Sequence, residues 1–211
     1  MMTPERHVKF EKVVRQRQTN MTVILENVHD PHNIGAVLRS CDAVGIKEMY
    51  ILHSRPEMVR DEIVINKQTS TGARKWVDVY LFTDVEKCFE HIRSKYDKIY
   101  GTHMSEEAVV MSEVDMTQSV AFLFGNEKEG LTKEALTYCD GNFLIPMKGM
   151  VQSLNISVAC AVTLFEALRQ RENNGNYDDK PVSSEEEQTE LLTTYLQRHK
   201  IKWTGEEIIE L

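Results

Sequence analysis

Two glycines five residues apart, Gly125 and Gly130, interrupt an apolar run at the spacing of a phosphate-binding loop. Such a loop needs a lysine and then serine or threonine directly after its second glycine, because the lysine reaches the terminal phosphates and the hydroxyl holds magnesium. Leu131 stands at the lysine position, so this chemistry is excluded. The turn also carries an acid, Glu127, but no cluster of acids in the sequence suggests a magnesium site. The segment therefore indicates a strand and a tight turn around a different ligand.

Strand-like apolar runs alternate with helix-like segments along most of the chain. Short runs rich in β-branched and aromatic residues indicate strands, and apolar residues that recur every three or four positions indicate helices. Their alternation predicts an α/β fold with a largely parallel sheet. The predicted strands are residues 22–27, 48–53, 77–82, 98–103, 120–124 and 142–146, and the predicted helices are residues 4–17, 33–44, 84–95, a segment from Thr132, a long apolar segment from Ser153, and residues 189–200.

Four turns that follow predicted strands carry glycine, asparagine, glutamate or serine. In an open parallel sheet the ligand site lies beyond the carboxyl ends of the strands, so these turns are expected at one edge. Taken singly, each has a structural explanation, with Asn33 as a helix cap and the glycines for turns. The dinucleotide signature GxGxxG is absent, which leaves a nucleotide-like ligand to bind near the C-terminal half of the domain. The four turns are residues 29–39, 101–105, 125–130 and 145–157.

Length and composition predict one sizeable domain with an appendage, since the chain has 211 residues and 41% of them are hydrophobic. The N-terminus has no stretch suited to a signal peptide, and no segment approaches the roughly 18 to 20 apolar residues that span a bilayer. We therefore expect a cytoplasmic protein without membrane contact. The four cysteines lie far apart, which predicts reduced structural thiols and neither a metal site nor disulfides.

The net charge of −8 by itself argues against nucleic-acid binding, because binding domains are usually basic. The excess negative charge lies at one end, since residues 172–211 hold ten acidic and four basic residues, whereas residues 1–20 hold five basic and two acidic ones. Local basic surfaces are compatible with this distribution. We expect a basic helix at residues 1–20, a main domain at residues 21–171, and an acidic linker with a short helical or disordered tail at residues 172–211.

Three ordered segments of the main domain resemble a known family. The sequences NIGAVLR, FGNEKEGL and IPMKGMVQSLNISVA look like the three motifs of the SPOUT-class RNA 2′-O-methyltransferases, in the same order. The resemblance covers about residues 18–172 and is closest to the TrmH type, the tRNA enzymes that methylate guanosine 18 of the D-loop. Three long motifs in register are a more specific signal than any one alone.

The resemblance implies a fold, a cofactor and an assembly. It implies a parallel-sheet SPOUT fold with a deep trefoil knot at the C-terminal end of the sheet, S-adenosylmethionine as methyl donor, a tRNA substrate and a homodimer. The apolar helix from Ser153 would then pack across the dimer interface. Glycines suit such a site, because they let the backbone approach an adenosine closely. The cofactor residues implied are the backbone groups around Thr102, Gly125, Ile145 and Leu154, with Met147 and Gly149 in the knotted loop.

The implied reaction is attack of a ribose 2′-oxygen on a sulfonium methyl group, which needs in-line placement of a weak nucleophile. In the resembled family the residue that matches Arg39 is catalytic and is often described as the base. A free-base guanidine costs about 7 kcal/mol at neutral pH for an ordinary arginine. We therefore expect Arg39 to stabilise the developing 2′-oxyanion and to contact a phosphate.

His32 is an alternative proton acceptor, although a turn histidine is the simpler interpretation. The other catalytic residues implied are Asn33, which would orient Arg39 or the ribose, Glu127, which would fix the motif loop, and Ser153 and Asn155, which would complete the site.

RNA binding requires basic and aromatic surface. The segment KQTSTGARKW supplies Lys67, Arg74 and Lys75 beside a flexible glycine, and we expect it to contact RNA. Trp76 is predicted to pack in the core rather than to stack on a base. The basic N-terminal helix is either solvated or an arm that contacts a polyanion. Cations at residues 197–203 would extend the surface, although the acidic run before them argues against it.

Two other functions remain open from the sequence. The same reaction on ribosomal RNA is one, but relatives of that kind often carry a separate N-terminal RNA-binding domain, and only about 20 residues precede the first predicted strand here. A non-catalytic RNA-binding protein with the same fold is the other. Intact Arg39, Asn33, Glu127 and Asn155 favour an enzyme.

Overall fold

The chain folds around one parallel sheet, as the alternating pattern predicts. The computed structural model describes residues 3–55, 72–178, 180–200 and 209–210. The strands are β1 (Met21–Glu26), β2 (Glu48–Leu52), β3 (Asp78–Phe82), β4 (Lys98–Thr102), β5 (Val109–Val110), β6 (Val120–Phe124), β7 (Gly141–Leu144) and β8 (Ile209–Glu210). The helices are α1 (Pro4–Arg15), α2 (Pro31–Ala43), α3 (Val85–Arg93), α4 (Lys133–Leu136), α5 (Ile156–Asn173) and α6 (Glu185–Lys200). The described strands lie in the order β5-β7-β4-β6-β1-β2-β3-β8, and every neighbouring pair is parallel.

The sheet is covered by helices on both faces. The central strands β6, β1 and β2 are buried along their whole lengths, as continuous apolar strands in a doubly covered sheet must be. Ile34 and Leu38 of α2 pack on one face together with Leu164 of α5. Phe89 of α3 and Ala135 of α4 pack on the other face. The strand ends are therefore the part of the sheet that can face a ligand.

Helix α2 begins earlier than predicted, which changes the role of Asn33. The Asp30 side chain accepts a hydrogen bond from the His32 amide at 2.9 Å, and Pro31 occupies the first helical position. The predicted cap at Asn33 is therefore wrong, and its side chain is available for other contacts. The helix ends as predicted, because Gly45 follows it with a φ of 84° that suits glycine.

Helix α5 begins three residues later than its predicted start at Ser153. Asn155 is its N-cap, and the Asn155 Oδ1 accepts from the Ser157 amide at 2.9 Å. Ser153 thus lies in the irregular segment between β7 and α5. This segment brings polar side chains to the carboxyl edge of the sheet.

The two end segments of the chain pack together. Phe10 and Val14 of α1 form an apolar cluster with Tyr195 of α6. Within the predicted linker, Tyr177 is buried, and its hydroxyl donates to the Val44 carbonyl at 2.7 Å. This part of the linker is therefore fixed against the end of α2. The division of the chain into three segments stays a prediction.

All four cysteines are free in the structure: Cys41, Cys88, Cys139 and Cys160. In the part of the chain that the structure describes, no helix is long and apolar enough to cross a membrane.

Arg171, near the end of α5, is a buried cation that joins three segments. Its Nε donates to the Met116 carbonyl at 2.8 Å, and its Nη2 donates to the Gln118 carbonyl at 2.6 Å. Its Nη1 donates to the Gln18 and Asn20 side chains at 2.8 and 2.6 Å. Burial lowers the pKa of this guanidinium to about 10. The four acceptors fix α5 against the segments that lead into β1 and β6.

Replacement of Arg171 by Met should lower the free energy of unfolding by about 3 kcal/mol or more, because several buried acceptors lose their donor. Arg169→Met is the matched control, since Arg169 lies two residues earlier and pairs with Glu166 at the surface. The control should cost much less, because an exposed ion pair contributes little to stability. Urea unfolding followed by circular dichroism measures both values. Equal losses in the two variants would contradict the buried role of Arg171.

Candidate active site

A cavity of about 260 Å³ lies at the carboxyl edge of the sheet, where β4, β6 and β7 end. This is the position at which open parallel sheets bind ligands. Five of the six predicted cofactor residues line the cavity, namely Thr102, Gly125, Ile145, Met147 and Leu154. Gly149 is not among the residues that line it. Three separate strand ends thus contribute to one site.

Three predicted catalytic residues form a hydrogen-bonded chain beside this cavity. The Asn155 Nδ2 donates to the Asn33 Oδ1 at 3.1 Å. The Asn33 Nδ2 donates in turn to the Glu127 Oε1 at 2.5 Å. Glu127 itself lines the cavity. The contact joins α2, the turn after β6 and the cap of α5, so all three motifs meet at one point.

The turn after β6 is held in one shape by close packing. A Cβ atom added to Gly125 would lie 2.2 Å from the Gly130 carbonyl carbon and 2.4 Å from the Leu131 nitrogen, far inside van der Waals contact. Gly130 has a φ of 69°, which strains other residues. Asn126 closes the turn, because its Oδ1 accepts from the Lys128 amide at 2.9 Å. The glycines therefore serve a tight turn, as the sequence predicts.

A buried network behind this turn escaped sequence reasoning. Asn27 has a φ of 54° and is 3% exposed, and its carbonyl accepts from the Asn126 Nδ2 at 2.9 Å. The Asn27 Nδ2 donates to the Ser54 Oγ, which donates to the Glu26 Oε1. Glu26 also accepts from the Thr132 amide and hydroxyl at 2.9 and 2.6 Å. The one sequence signal for this network was Glu26, an acid at the end of an otherwise apolar strand. The left-handed conformation of Asn27 has no sequence signal.

Two histidines lie behind the site at the ends of β1 and β2. The rings of His29 and His53 are 4.9 Å apart. Burial lowers the pKa of both, to about 4 for His53, and the Glu127 carboxylate partly opposes the shift at His29. These imidazoles are therefore neutral at neutral pH and do not add positive charge to the site.

The structure does not bring Arg39 into the hydrogen-bonded chain. Arg39 is exposed on α2, about 9 Å along the helix axis from Asn33, and makes no hydrogen bond or ion pair with the described residues. His32 is also exposed and lies on the same helix face, seven residues before it. Ser153 is exposed and lines the cavity. The unpaired guanidinium of Arg39 is thus available to an RNA substrate.

The predicted RNA loop is only partly described. Residues 67–71 lie outside the described residues. Arg74 is 6% exposed in a short 3-10 helix, so its prediction as an RNA contact is wrong. Trp76 meets its predicted core packing only in part: its ring centroid lies 5.4 Å from that of Phe10 and 5.3 Å from that of Tyr195, but the residue is only half-buried.

The cavity fits the cofactor that the resemblance implies. Phe124, Phe143 and Leu144 give it an apolar lining, and the glycine turn lets main-chain groups approach a ligand. Its polar side chains are mostly uncharged, which suits a ligand read by the backbone. In the described ranges, no group of three or more His, Cys, Asp or Glu side chains could hold a metal ion.

This fold and site define a class of RNA-modifying protein. Residues 20–165 match the SpoU rRNA Methylase family, and the chain belongs to that family. The chain is also similar to the tRNA (guanosine(18)-2'-O)-methyltransferase of Thermus thermophilus, with 42% identity over 93% of this chain and 98% of the relative.

Solved structures agree with this assignment. The TrmH/SpoU tRNA modifying enzyme of A. aeolicus superimposes with a TM-score of 0.82 at 36% identity, over 94% of this chain and 98% of the other. The SpoU methyltransferase AviRb from Streptomyces viridochromogenes, in complex with the cofactor AdoMet, has a TM-score of 0.65 at 27% identity, over 74% of this chain and 62% of the other.

Replacement of Gly125 by Ala should lower the free energy of unfolding by about 1–3 kcal/mol, because the methyl group would overlap the backbone at Gly130 and Leu131. Gly149→Ala is the control for stability, since a Cβ there would meet nothing within 4 Å. It should change the value by less than about 0.5 kcal/mol. Thermal unfolding by calorimetry measures both, and a Gly125→Ala variant as stable as wild type would contradict the tight turn.

Proposed function

We propose that the protein transfers a methyl group from S-adenosylmethionine to the ribose 2′-oxygen of guanosine 18 in the D-loop of tRNA. The observation that carries the proposal is the chain of hydrogen bonds from Asn155 through Asn33 to Glu127 beside the cavity. The similarity to the T. thermophilus enzyme over almost the whole of both chains supports the choice of nucleotide. A tRNA substrate agrees with the predicted cytoplasmic location, which stays a prediction.

The residues that line the cavity would hold the methyl donor. S-adenosylmethionine supplies a methyl group on a sulfonium, which makes that methyl electrophilic. Main-chain groups at Gly125, Ile145 and Leu154 would bind the adenosyl moiety, because all three residues line the cavity. Thr102 is fixed at the end of β4 by its hydroxyl, which donates to the Leu123 carbonyl at 3.3 Å. Met147 would shape the loop, and Gly149 would contribute only through the backbone of the same segment.

The amide side chains would position the nucleotide. Asn33 has one Nδ2 hydrogen directed to Glu127 and one Oδ1 that receives Asn155, so its orientation is fixed. Ser153 at the cavity wall and Asn155 at the cap would bound the space next to the ribose. A fixed polar wall lowers the entropic cost of orienting a weak nucleophile.

Arg39 would stabilise the negative charge that develops on the 2′-oxygen and contact the adjacent phosphate. Its guanidinium is exposed and carries no internal partner in the described ranges, so binding RNA costs no existing ion pair. A planar guanidinium can donate two parallel hydrogen bonds to such oxygens. The proton would then pass from the 2′-hydroxyl to solvent or to His32, which is exposed on the same helix face.

A deep trefoil knot is part of the same proposal. β7 lies on the far side of β4 from β6, and the chain after β7 returns to α2, where Asn155 contacts Asn33. This return path is what a threaded C-terminal segment requires. The likeness to the A. aeolicus structure over 94% of the chain supports it further.

A homodimer would cover one face of α5. Val158, Val162 and Phe165 are 46%, 38% and 52% exposed, and their spacing of four and three residues places them on one side of the helix. An apolar stripe of this kind on a helix that also borders the cavity is typical of an interface. The dimer would thus form next to the active site.

The substrate assignment can be tested with two tRNA transcripts that differ in one atom. With labelled S-adenosylmethionine, a transcript with guanosine at position 18 should take up label, and one with 2′-deoxyguanosine there should take up none. Nuclease digestion then maps the label to the ribose of that nucleotide. Label on a base, or only in added ribosomal RNA, would overturn the proposal.

Arg39→Ala should lower the single-turnover rate of methyl transfer by about 100- to 1,000-fold, as removal of one oxyanion-stabilising donor does. Arg39→Lys keeps the charge but not the paired donors, so it should retain a larger part of the rate. Binding of S-adenosylmethionine, measured by calorimetry, should be unchanged in both variants. Activity of Arg39→Ala within a few-fold of wild type would sink the assigned role.

Phe165→Glu should convert the dimer to a monomer, because a charge would be buried in an apolar interface. Phe165→Leu is the matched control and should leave the dimer intact. Sedimentation velocity at several protein concentrations reports the change. If both variants sediment as the wild type does, α5 is not the interface.

A further inference from the structure

A second cavity, of about 240 Å³, lies between α1, α6 and the turn before β3, and shares no lining residue with the first. Its walls combine aromatic rings and cations, and it is lined by Arg6, Lys9, Phe10, Val13, Arg17, Asp42, Trp76 and Tyr195. We propose that this cavity binds a single unpaired nucleotide of the bound RNA, with its base against the aromatic wall and its phosphate on Arg6 and Lys9. The choice of RNA as the source depends on the proposed function.

The aromatic wall is rigid. The Trp76 ring lies 5.4 Å from Phe10 and 5.3 Å from Tyr195, and the Tyr195 hydroxyl donates to the Trp76 carbonyl at 2.5 Å. Trp76 is half-buried, so part of its ring faces the cavity. A fixed aromatic face stacks any base without large entropic cost, and protein sites for single-stranded RNA use this contact.

The mouth of the cavity is positively charged. Arg6 and Lys9 are exposed on one face of α1, and neither side chain forms an ion pair with the described residues. The one acid in the lining, Asp42, is already paired with Arg17 Nη2 at 2.5 Å. Two cations thus remain for a phosphate, and the arrangement favours an anion that also carries an aromatic ring.

Arg17 forms the buried end of the cavity. It is 1% exposed, its Nη1 donates to the Ile46 carbonyl at 2.8 Å, and its guanidinium lies 5.4 Å from the Tyr195 ring centroid. Its Nε has no hydrogen-bond partner among the described residues. A buried donor without an acceptor is costly, and a base carbonyl at this end of the cavity would supply one.

The position of the cavity supports a nucleotide of a larger RNA as its ligand. Asp42 lies in the last turn of α2, about 14 Å along the helix axis from Asn33. Arg39 lies one turn before Asp42, so one exposed cation lies between the active site and this cavity along α2.

Fluorescence of Trp76 tests the proposal directly. The chain has two tryptophans, so Trp203→Phe leaves Trp76 as the single reporter. Titration with guanosine, adenosine, cytidine and uridine 5′-monophosphates should quench this fluorescence saturably. The corresponding nucleosides and inorganic phosphate should need at least ten-fold higher concentrations. Absence of quenching by all four nucleotides would overturn the proposal.

Charge-reversal variants distinguish binding in the cavity from general electrostatic attraction to RNA. Lys9→Glu and Arg6→Glu should each weaken nucleotide quenching and tRNA binding about ten-fold, and each should reduce the salt dependence of tRNA binding by about one phosphate contact. Lys12→Glu is the matched control, because Lys12 is exposed on the same helix and does not line the cavity. Equal weakening by Lys9→Glu and Lys12→Glu would overturn the proposal.

Stacking is tested at Trp76 itself. Trp76→Phe should keep most of the tRNA affinity, whereas Trp76→Leu should lose about ten-fold, as the loss of one base–aromatic stack does. Folding of both variants is checked by circular dichroism, and equal tRNA affinity of the two folded variants would contradict base stacking on Trp76.

If nucleotides bind but no RNA is methylated, the proposed function fails and the assignment of the cavity as a nucleotide site stands. If tRNA is methylated normally and no nucleotide quenches Trp76, only the cavity assignment fails.

Discussion

The buried carboxylate of Glu26 is the contact on which the shape of the site depends. It accepts hydrogen bonds from Ser54, which follows β2, and from the amide and hydroxyl of Thr132, which caps α4. A buried carboxylate costs free energy unless such donors stay in place, so the three segments are held in one arrangement. The next residue, Asn27, then fixes Asn126 and with it the turn that carries Glu127. The geometry of the site therefore depends on Glu26 and Asn27, which do not line the cavity.

Among the described residues, some polar side chains of the site are fixed by hydrogen bonds, whereas several cationic side chains are exposed. Asn33 donates a hydrogen bond to Glu127, which fixes the orientation of both side chains. Arg39 is exposed on α2, and Arg6 and Lys9 are exposed on α1. Because the net charge is negative, attraction to RNA would depend on such local cations.

Sequence periodicity predicted most of the fold, but not the ends of its helices. Six of the eight described strands were predicted within about one or two residues, because most of them are apolar runs buried in the sheet. The two-residue strands β5 and β8 were not predicted, since they are too short to show a pattern. The cap of α2 was misplaced from Asp30 to Asn33, since both residue types cap helices and only the backbone decides between them. Arg74 was expected to contact RNA because it stands in a basic segment beside a glycine, yet packing buries it. Arg171 gave no signal, because a buried arginine is recognised only by its acceptors.

The sequence alone predicted that the turns that carry Gly125, Asn33, Glu127 and Asn155 lie at one edge of the sheet, because residue type and the alternation of strands and helices are local properties of a chain. Only the tertiary structure decided which of them touch. Hydrogen bonds between residues about 90 to 120 positions apart depend on strand order, which periodicity does not contain. The same holds for the second cavity, whose cations and rings come from both ends of the chain and from the turn before β3. The local sequence pattern thus predicted which residues are involved, and long-range packing determined the distances between them.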